Sequence, residues 1–416
     1  MSGAELTFGL ALSNDHILAG VPTNLYVLLE LTAPRVGDLS RLPLNLAAVL
    51  DRSGSMEGNP LSQVKRAAEF LVDHLDVQDC LAVVTYDDQV RVEHPAGPVV
   101  NREVVRSAVR RIQAGGMTNL SGGLLTGVAQ ARIHAGPGRI NRVLLLTDGQ
   151  ANVGLTSVSS LAGLARDLAQ GGISLSTMGV GSWYNEDLLL AMAEAGKGNY
   201  YYIDSAEKLP GIFADELQGL LSVVAQRLHV RFRGLEGARI GRILGEHVPA
   251  GEQAALALSD MYSGENRPLL VEVLVPPLAP GRYQLVEVEV EYASVPQELR
   301  TVSVCGRIGL EATVDAELLG LGPNLEVVKK VELVQAALAR DEAIARADQG
   351  DLNGAALVLH QQYASLASAP FTPSDPDVLA ELTNLKEALH DLSSGYDPGV
   401  RKKMQFQSYR RKKGKH

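Results

Sequence analysis

The sequence predicts an α/β fold, a doubly wound and mostly parallel sheet, inserted in an antiparallel β-sandwich and followed by a small α-helical region. Three observations predict it. From residue 44, short continuous apolar runs alternate with segments of helical spacing; strands of alternating polarity bracket that stretch on both sides; and Ala/Leu-rich helical segments follow from about residue 323. At 416 residues the chain is long enough for roughly two or three domains. With 46% hydrophobic and 21% charged residues, it is neither a largely disordered chain nor a polytopic membrane protein.

The first expected element is a pair of strands at 5–12 and 22–32, placed with residues 1–43 in the sandwich. The α/β unit, 44–224, follows. Its buried strands are the runs LNLAAVL (44–50), CLAVVTY (80–86), NRVLLLT (141–147), GISLSTMGV (172–180) and NYYYI (199–203). Between the first two, Val64, Ala67, Ala68, Leu71, Val72 and Leu75 recur at helical spacing, so 62–76 lays one apolar stripe on the sheet. Val104, Val105, Ala108, Val109 and Ile112 do the same for a second helix, and further helices are expected near 120–134, 157–169, 185–195 and 206–224.

Residues 225–312 return to strands. In YQLVEVEVEY (283–292), Val286, Val288, Val290 and Tyr292 alternate with Glu287, Glu289 and Glu291, one face in a core and the other in water. Residues 313–400 are read as a helical hairpin or bundle whose third helix starts at Ser374-Asp375-Pro376, an N-cap followed by proline, and is carried by Leu379, Leu382, Leu385, Leu389 and Leu392. Residues 401–416 hold eight Lys/Arg and no acid, and removing them from a net charge of −10 leaves a body at −18. Such a body repels nucleic acid and anionic lipid, so binding to either falls to the tail, read as a basic, flexible terminus that could also lie on the acidic body.

Two cysteines, Cys80 and Cys305, are too few for a disulfide framework, and no stretch of about 18 apolar residues or secretory leader is seen. The expected location is the cytoplasm. Nucleotide-binding and hydrolase motifs are missing: no G-x-x-x-x-G-K-[S/T], no G-x-S-x-G and no H-E-x-x-H occur, so no enzymatic activity is expected.

In open α/β sheets, ligands bind at the carboxyl ends of strands, which directs attention to the loops after residues 50 and 147. The first begins Asp51-Arg52-Ser53-Gly54-Ser55, the second contains Thr147-Asp148-Gly149, and Thr118 stands on a glycine-rich turn between them. Two carboxylates and three hydroxyls, without His or Cys, suit a small hard cation. Ser and Asp at strand ends also cap helices, and Ser53 or Ser55 alone would read as a cap or turn residue.

Asp51, Ser53, Ser55, Thr118 and Asp148, in that order, resemble the metal-ion-dependent adhesion site of the von Willebrand factor A domain family, D-x-S-x-S with a distant Thr and a distant Asp. The resemblance covers about residues 40–225 and implies a Rossmann-like fold. More loosely, the flanking strands resemble bacterial relatives of inter-alpha-trypsin-inhibitor heavy chains. What the resemblance implies is a bound Mg²⁺, with Mn²⁺ or Ca²⁺ as alternates, and a protein partner whose Asp or Glu completes the coordination. Neither a small-molecule substrate nor a membrane span is expected. The competing readings are an accessory subunit of a separate AAA+ ATPase and a nucleic-acid or anionic-surface binder acting through the tail.

Overall fold

The computed structural model describes residues 5–35, 41–181, 183–246, 248–297, 299–372 and 374–414. The chain divides into two compact units. One comprises Val36–Val224 with Val295–Leu299; the other comprises the chain before Val36, Ala225–Ser294 and the chain from Arg300 on.

In chain order, the second of these units opens with strands β1 (Thr7–Leu12), β2 (His16–Leu18) and β3 (Thr23–Thr32). The α/β unit contains β4 (Leu44–Asp51), α1 (Asn59–His74), β5 (Cys80–Tyr86), β6 (Val90–Pro98), α2 (Arg102–Arg110), α3 (Leu120–Ile133) and β7 (Ile140–Thr147). It continues with α4 (Val158–Gln170), β8 (Ser174–Val180), α5 (Glu186–Ala195), β9 (Lys197–Ile203) and α6 (Leu209–Leu221). Its sheet has the order β6-β5-β4-β7-β8-β9, parallel except for β6. Every residue of β4, β5 and β7 is buried. Successive side chains point to opposite faces, so both faces are covered, and that explains runs with no polar alternation.

α3 packs against β4, β5, β6 and β7, and its glycines permit the close approach. A Cβ on Gly123 would stand 2.5 Å from the Tyr86 ring. That ring is buried, with its hydroxyl donating to the Leu146 carbonyl at 2.9 Å, and cannot swing away. Gly123→Ala is therefore expected to destabilise the protein by about 1–3 kcal/mol, the usual effect of overpacking, measured as a lower denaturation midpoint. β6 was not anticipated: it is an edge strand without a buried residue, interrupted by Pro95 and Gly97, which is where sheets tolerate such residues.

The other unit continues with β10 (Val223–Gly234), β11 (Arg239–Ile243), β12 (Gln253–Leu258), β13 (Met261–Tyr262), β14 (Asn266–Val275), β15 (Gly281–Ser294) and β16 (Arg300–Thr313). One sheet has the order β1-β3-β14-β11 and the other β12-β10-β15-β16-β2. In β15, Val286, Val288, Val290 and Tyr292 are buried while Glu287 faces outward, bonded to Arg233 and Arg307 of the neighbouring strands. The alternation read from the sequence is thus the alternation of the sheet.

Helices α7 (Ala316–Leu319), α8 (Leu325–Asp348), α9 (Leu352–Ser368), α10 (Pro376–Ser394) and α11 (Pro398–Lys412) follow. Asp375 caps α10, accepting hydrogen bonds from the Asp377 and Val378 amides, with Pro376 at the first position. Of the leucines expected to carry this helix, Leu385 and Leu392 are buried, whereas Leu379 is exposed and Val378 and Ala388 complete the stripe. Val327 and Val331 of α8 pack on Leu28 and Leu270 of β3 and β14.

The expected flexible tail is corrected. Residues 398–412 form α11, which buries Met404 and Tyr409 and donates Ser408 Oγ to the Ala337 carbonyl at 3.1 Å. Its charges lie on acids of its own unit: Arg401 on Asp348, Lys403 on Asp391, Arg411 on the buried Glu381, Lys412 on Asp341 and Lys413 on Glu246. Those pairings leave less uncompensated positive charge for the binding of nucleic acid through the tail. Lys415 lies outside the described residues. Among the described residues no helix is long and apolar enough to cross a membrane.

Candidate metal centre

The strand order reverses between β4 and β7, and the carboxyl ends of these two adjacent strands carry Asp51 and, just past Thr147, Asp148. Asp51 is fully buried. One of its oxygens accepts from the Ser53 amide at 2.8 Å, and the other accepts from Thr147 Oγ1 at 2.6 Å. Ser53 Oγ lies 3.2 Å from Ser55 Oγ, and Ser55 Oγ donates to Asp148 Oδ1 at 2.7 Å. Neither serine caps α1, whose N-cap is Gly58 at φ 86°; the turn at Gly54–Met56 also receives no side-chain cap from Ser53.

Thr118 arrives from the loop before α3. Its amide donates to Asn152 Oδ1 at 2.9 Å, and its carbonyl accepts from the Asn152 and Val153 amides, which ties this loop to the one after Asp148. The Thr118 and Ser55 hydroxyls stand 3.5 and 3.8 Å from where a Cβ on Gly149 would be, so both border the residue next to Asp148. The five residues named from the sequence therefore meet at one rim of the sheet.

Arg52 and Asp87 hold that rim together. Both are buried, with Arg52 donating to Asp87 Oδ1 at 2.7 Å and to the Gln113 carbonyl at 3.2 Å. The Gly115 amide donates to the Arg52 carbonyl at 2.7 Å, the Gly54 amide to the Gly116 carbonyl at 2.9 Å and the Gly116 amide to Asp87 Oδ2 at 3.1 Å. A side chain at Gly115 would collide with this ion pair. Met56 is fully buried beneath the turn. Arg52, Met56, Asp87 and Thr147 were not among the site residues named from the sequence. Thr147 adjoins Asp148 and could have been weighed; nothing local pairs Arg52 with an acid 35 residues away.

The electrostatics favour a cation. Burial pushes the Asp51 carboxyl up to about 6 despite hydrogen bonds from Ser53 and Thr147, and the charge of Asp148 adds to the rise. Burial also raises Asp148, against the Ser55 hydrogen bond. The nearby guanidinium is turned toward Asp87, and both carboxylates are bonded to hydroxyls and amides. Among the described residues no three His, Cys, Asp or Glu side chains could hold a metal together, so an ion here depends on hydroxyl oxygens as well as carboxylates. Such a donor set fits a small hard cation.

Residues 45–215 match the family model of the von Willebrand factor type A domain. This segment is a von Willebrand factor type A domain. Domains of this family are in general metal-dependent modules of protein interaction. Over 406 residues the chain is 27% identical to an uncharacterized protein of Synechocystis sp., covering 94% of each. It is 30% identical over 199 residues to pig inter-alpha-trypsin inhibitor heavy chain H1, through 45% of this chain but only 22% of that protein's length. Its fold is similar to a von Willebrand factor type A structure from Catenulispora acidiphila, with a TM-score of 0.77, 19% identity and 96% of each chain covered.

Proposed function

We propose that the A domain binds Mg²⁺ through Asp51, Ser53, Ser55, Thr118 and Asp148 and uses it to capture an Asp or Glu side chain of a partner protein. The observation that carries this reading is the convergence of two carboxylates and three hydroxyls on one rim, with the serines free of helix capping. A cation held largely by neutral oxygens keeps its attraction for an outside carboxylate, which several directly bound acids would quench. Mn²⁺ or Ca²⁺ could replace Mg²⁺ in this donor set.

The role is binding: the rim's hydroxyls, Ser55 on Asp148 and Thr147 on Asp51, are bonded to the carboxylates of the cation set and serve to hold and orient it. The two sheets of the other unit, antiparallel except where β2 pairs with β16, serve as a sandwich frame that the A domain interrupts in sequence, and the cytoplasm is the compartment that a chain with two unpaired cysteines suits. The test is a pull-down on the immobilised full chain in Mg²⁺ and in chelator. Partners retained in Mg²⁺ are expected to be released by chelator and not to be retained by Ser53→Ala. Retention that survives both would contradict the proposal.

A further inference from the structure

Single exposed apolar side chains are ordinary on protein surfaces, and Val77 and Ile133, at the opposite end of the sheet, are of that kind. Three others are distinguished by position. Met117 is 55% exposed and precedes Thr118, on the turn whose Gly116 carbonyl accepts the Gly54 amide. Leu155 is 46% exposed on the loop after Asp148, its amide donating to Ser121 Oγ at 2.9 Å.

Trp183, the chain's single tryptophan, is 82% exposed. It follows β8, in which Gly179 is the register partner of Thr147, and the neighbouring Tyr184 ring lies over Gly179. Three separate loops therefore present large apolar groups at the rim that holds Asp51 and Asp148.

The charges of the same rim narrow the partner further. The loops 52–58, 87–89, 113–119, 148–157 and 181–185 contain one basic residue, Arg52, which is buried against Asp87. Glu57 and Asp88 are exposed among them. Without a bound cation this surface repels acids, and beyond the cation it offers a second carboxylate only like charge. A polyacidic segment is disfavoured, while apolar groups on either side of a single acid would bury both surfaces.

We propose that the partner segment carries one Asp or Glu flanked by large apolar or aromatic side chains, the acid directed at the cation and the flanks resting on Met117, Leu155 and Trp183. This deepens the function proposed above and rests on it.

The experiment selects a random peptide library on the full chain in Mg²⁺ and elutes with chelator. Eluted peptides are expected to share a lone acid beside Trp, Phe, Leu or Met, and a synthesised representative is expected to shift Trp183 fluorescence to the blue as the ring leaves water. Affinity should fall about tenfold or more in Met117→Ser/Leu155→Ser/Trp183→Ser, and remain at the wild-type level in Val77→Ser/Ile133→Ser. The Mg²⁺-dependent rise in Tm, read in parallel, separates loss of the apolar contact from loss of the metal. Chelator-eluted peptides that are polyacidic, or that bind the triple variant undiminished, would overturn this inference alone; no chelator-eluted peptide at all would overturn it together with the metal-capture reading.

Discussion

The Asp51→Ala variant is expected to lose the whole gain in stability that Mg²⁺ gives the wild-type chain, about 2.7 kcal/mol with free metal a hundredfold above Kd, and all metal-dependent partner capture with it. Asp51 is the fully buried carboxylate at the centre of the rim, bonded both to the Ser53 turn and to Thr147. Removing it takes away half of the fixed negative charge of the set and the acceptor that orients Ser53. The metal-free variant still folds, because the charged form of this carboxyl is already disfavoured by burial. Scanning calorimetry with Mg²⁺ and with chelator reads the effect. An equal Mg²⁺-dependent rise in wild type and variant would contradict the assignment.

The largest effect on stability is expected at Glu216, on α6. It is buried beside Arg142 of β7, 4.0 Å away, and each is 1% exposed. Its oxygens accept from Ser176 Oγ at 2.6 Å and from Asn199 Nδ2 and Tyr201 Oη at 2.7 Å, so one carboxylate joins α6 to β7, β8 and β9. Burial pushes this carboxyl up, but Arg142 and the three hydrogen bonds outweigh it and hold the group below its usual range. Glu216→Gln takes from the buried Arg142 the negative charge that Glu216 sets beside it, and breaking a buried pair in this way destabilises by about 3–5 kcal/mol.

Hydrogen exchange should localise that loss to β8, β9 and α6. Because the folded-state pKa is depressed, the contribution is complete above the ordinary carboxyl value of about 4.3 and is lost as pH falls through the lower folded value. The gap between wild type and variant therefore narrows in acid below that point. A gap that widened there would contradict the assigned charge.

The parts of this chain legible in its sequence are those where one local rule dominates. Continuous apolar runs identified β4, β5 and β7 because both faces of those strands are covered, and Asp375-Pro376 marked the start of α10 because cap and proline act within one turn. That Asp51, Ser53, Ser55, Thr118 and Asp148 share one rim was legible because strand ends place loops at a common edge. What stayed hidden depends on partners distant in sequence. The run of basic residues at 401–413 reads as a solvated tail until α8 and α10 bring Asp341, Asp348, Glu381 and Asp391 beneath it. Nothing beside Arg52 in the sequence pairs it with Asp87; the fold sets the two together.

The central claim is that a divalent cation is held at the rim by Asp51 and its neighbours. The most direct measurement is titration of Mn²⁺ into the full chain, followed by the loss of the free-ion electron paramagnetic resonance signal, with Mg²⁺ as competitor. The account predicts a single class of saturable site that Mg²⁺ displaces and that Asp51→Ala abolishes. A wild-type chain that leaves the free-ion signal unchanged, or an Asp51→Ala variant that takes up the ion equally well, would contradict it.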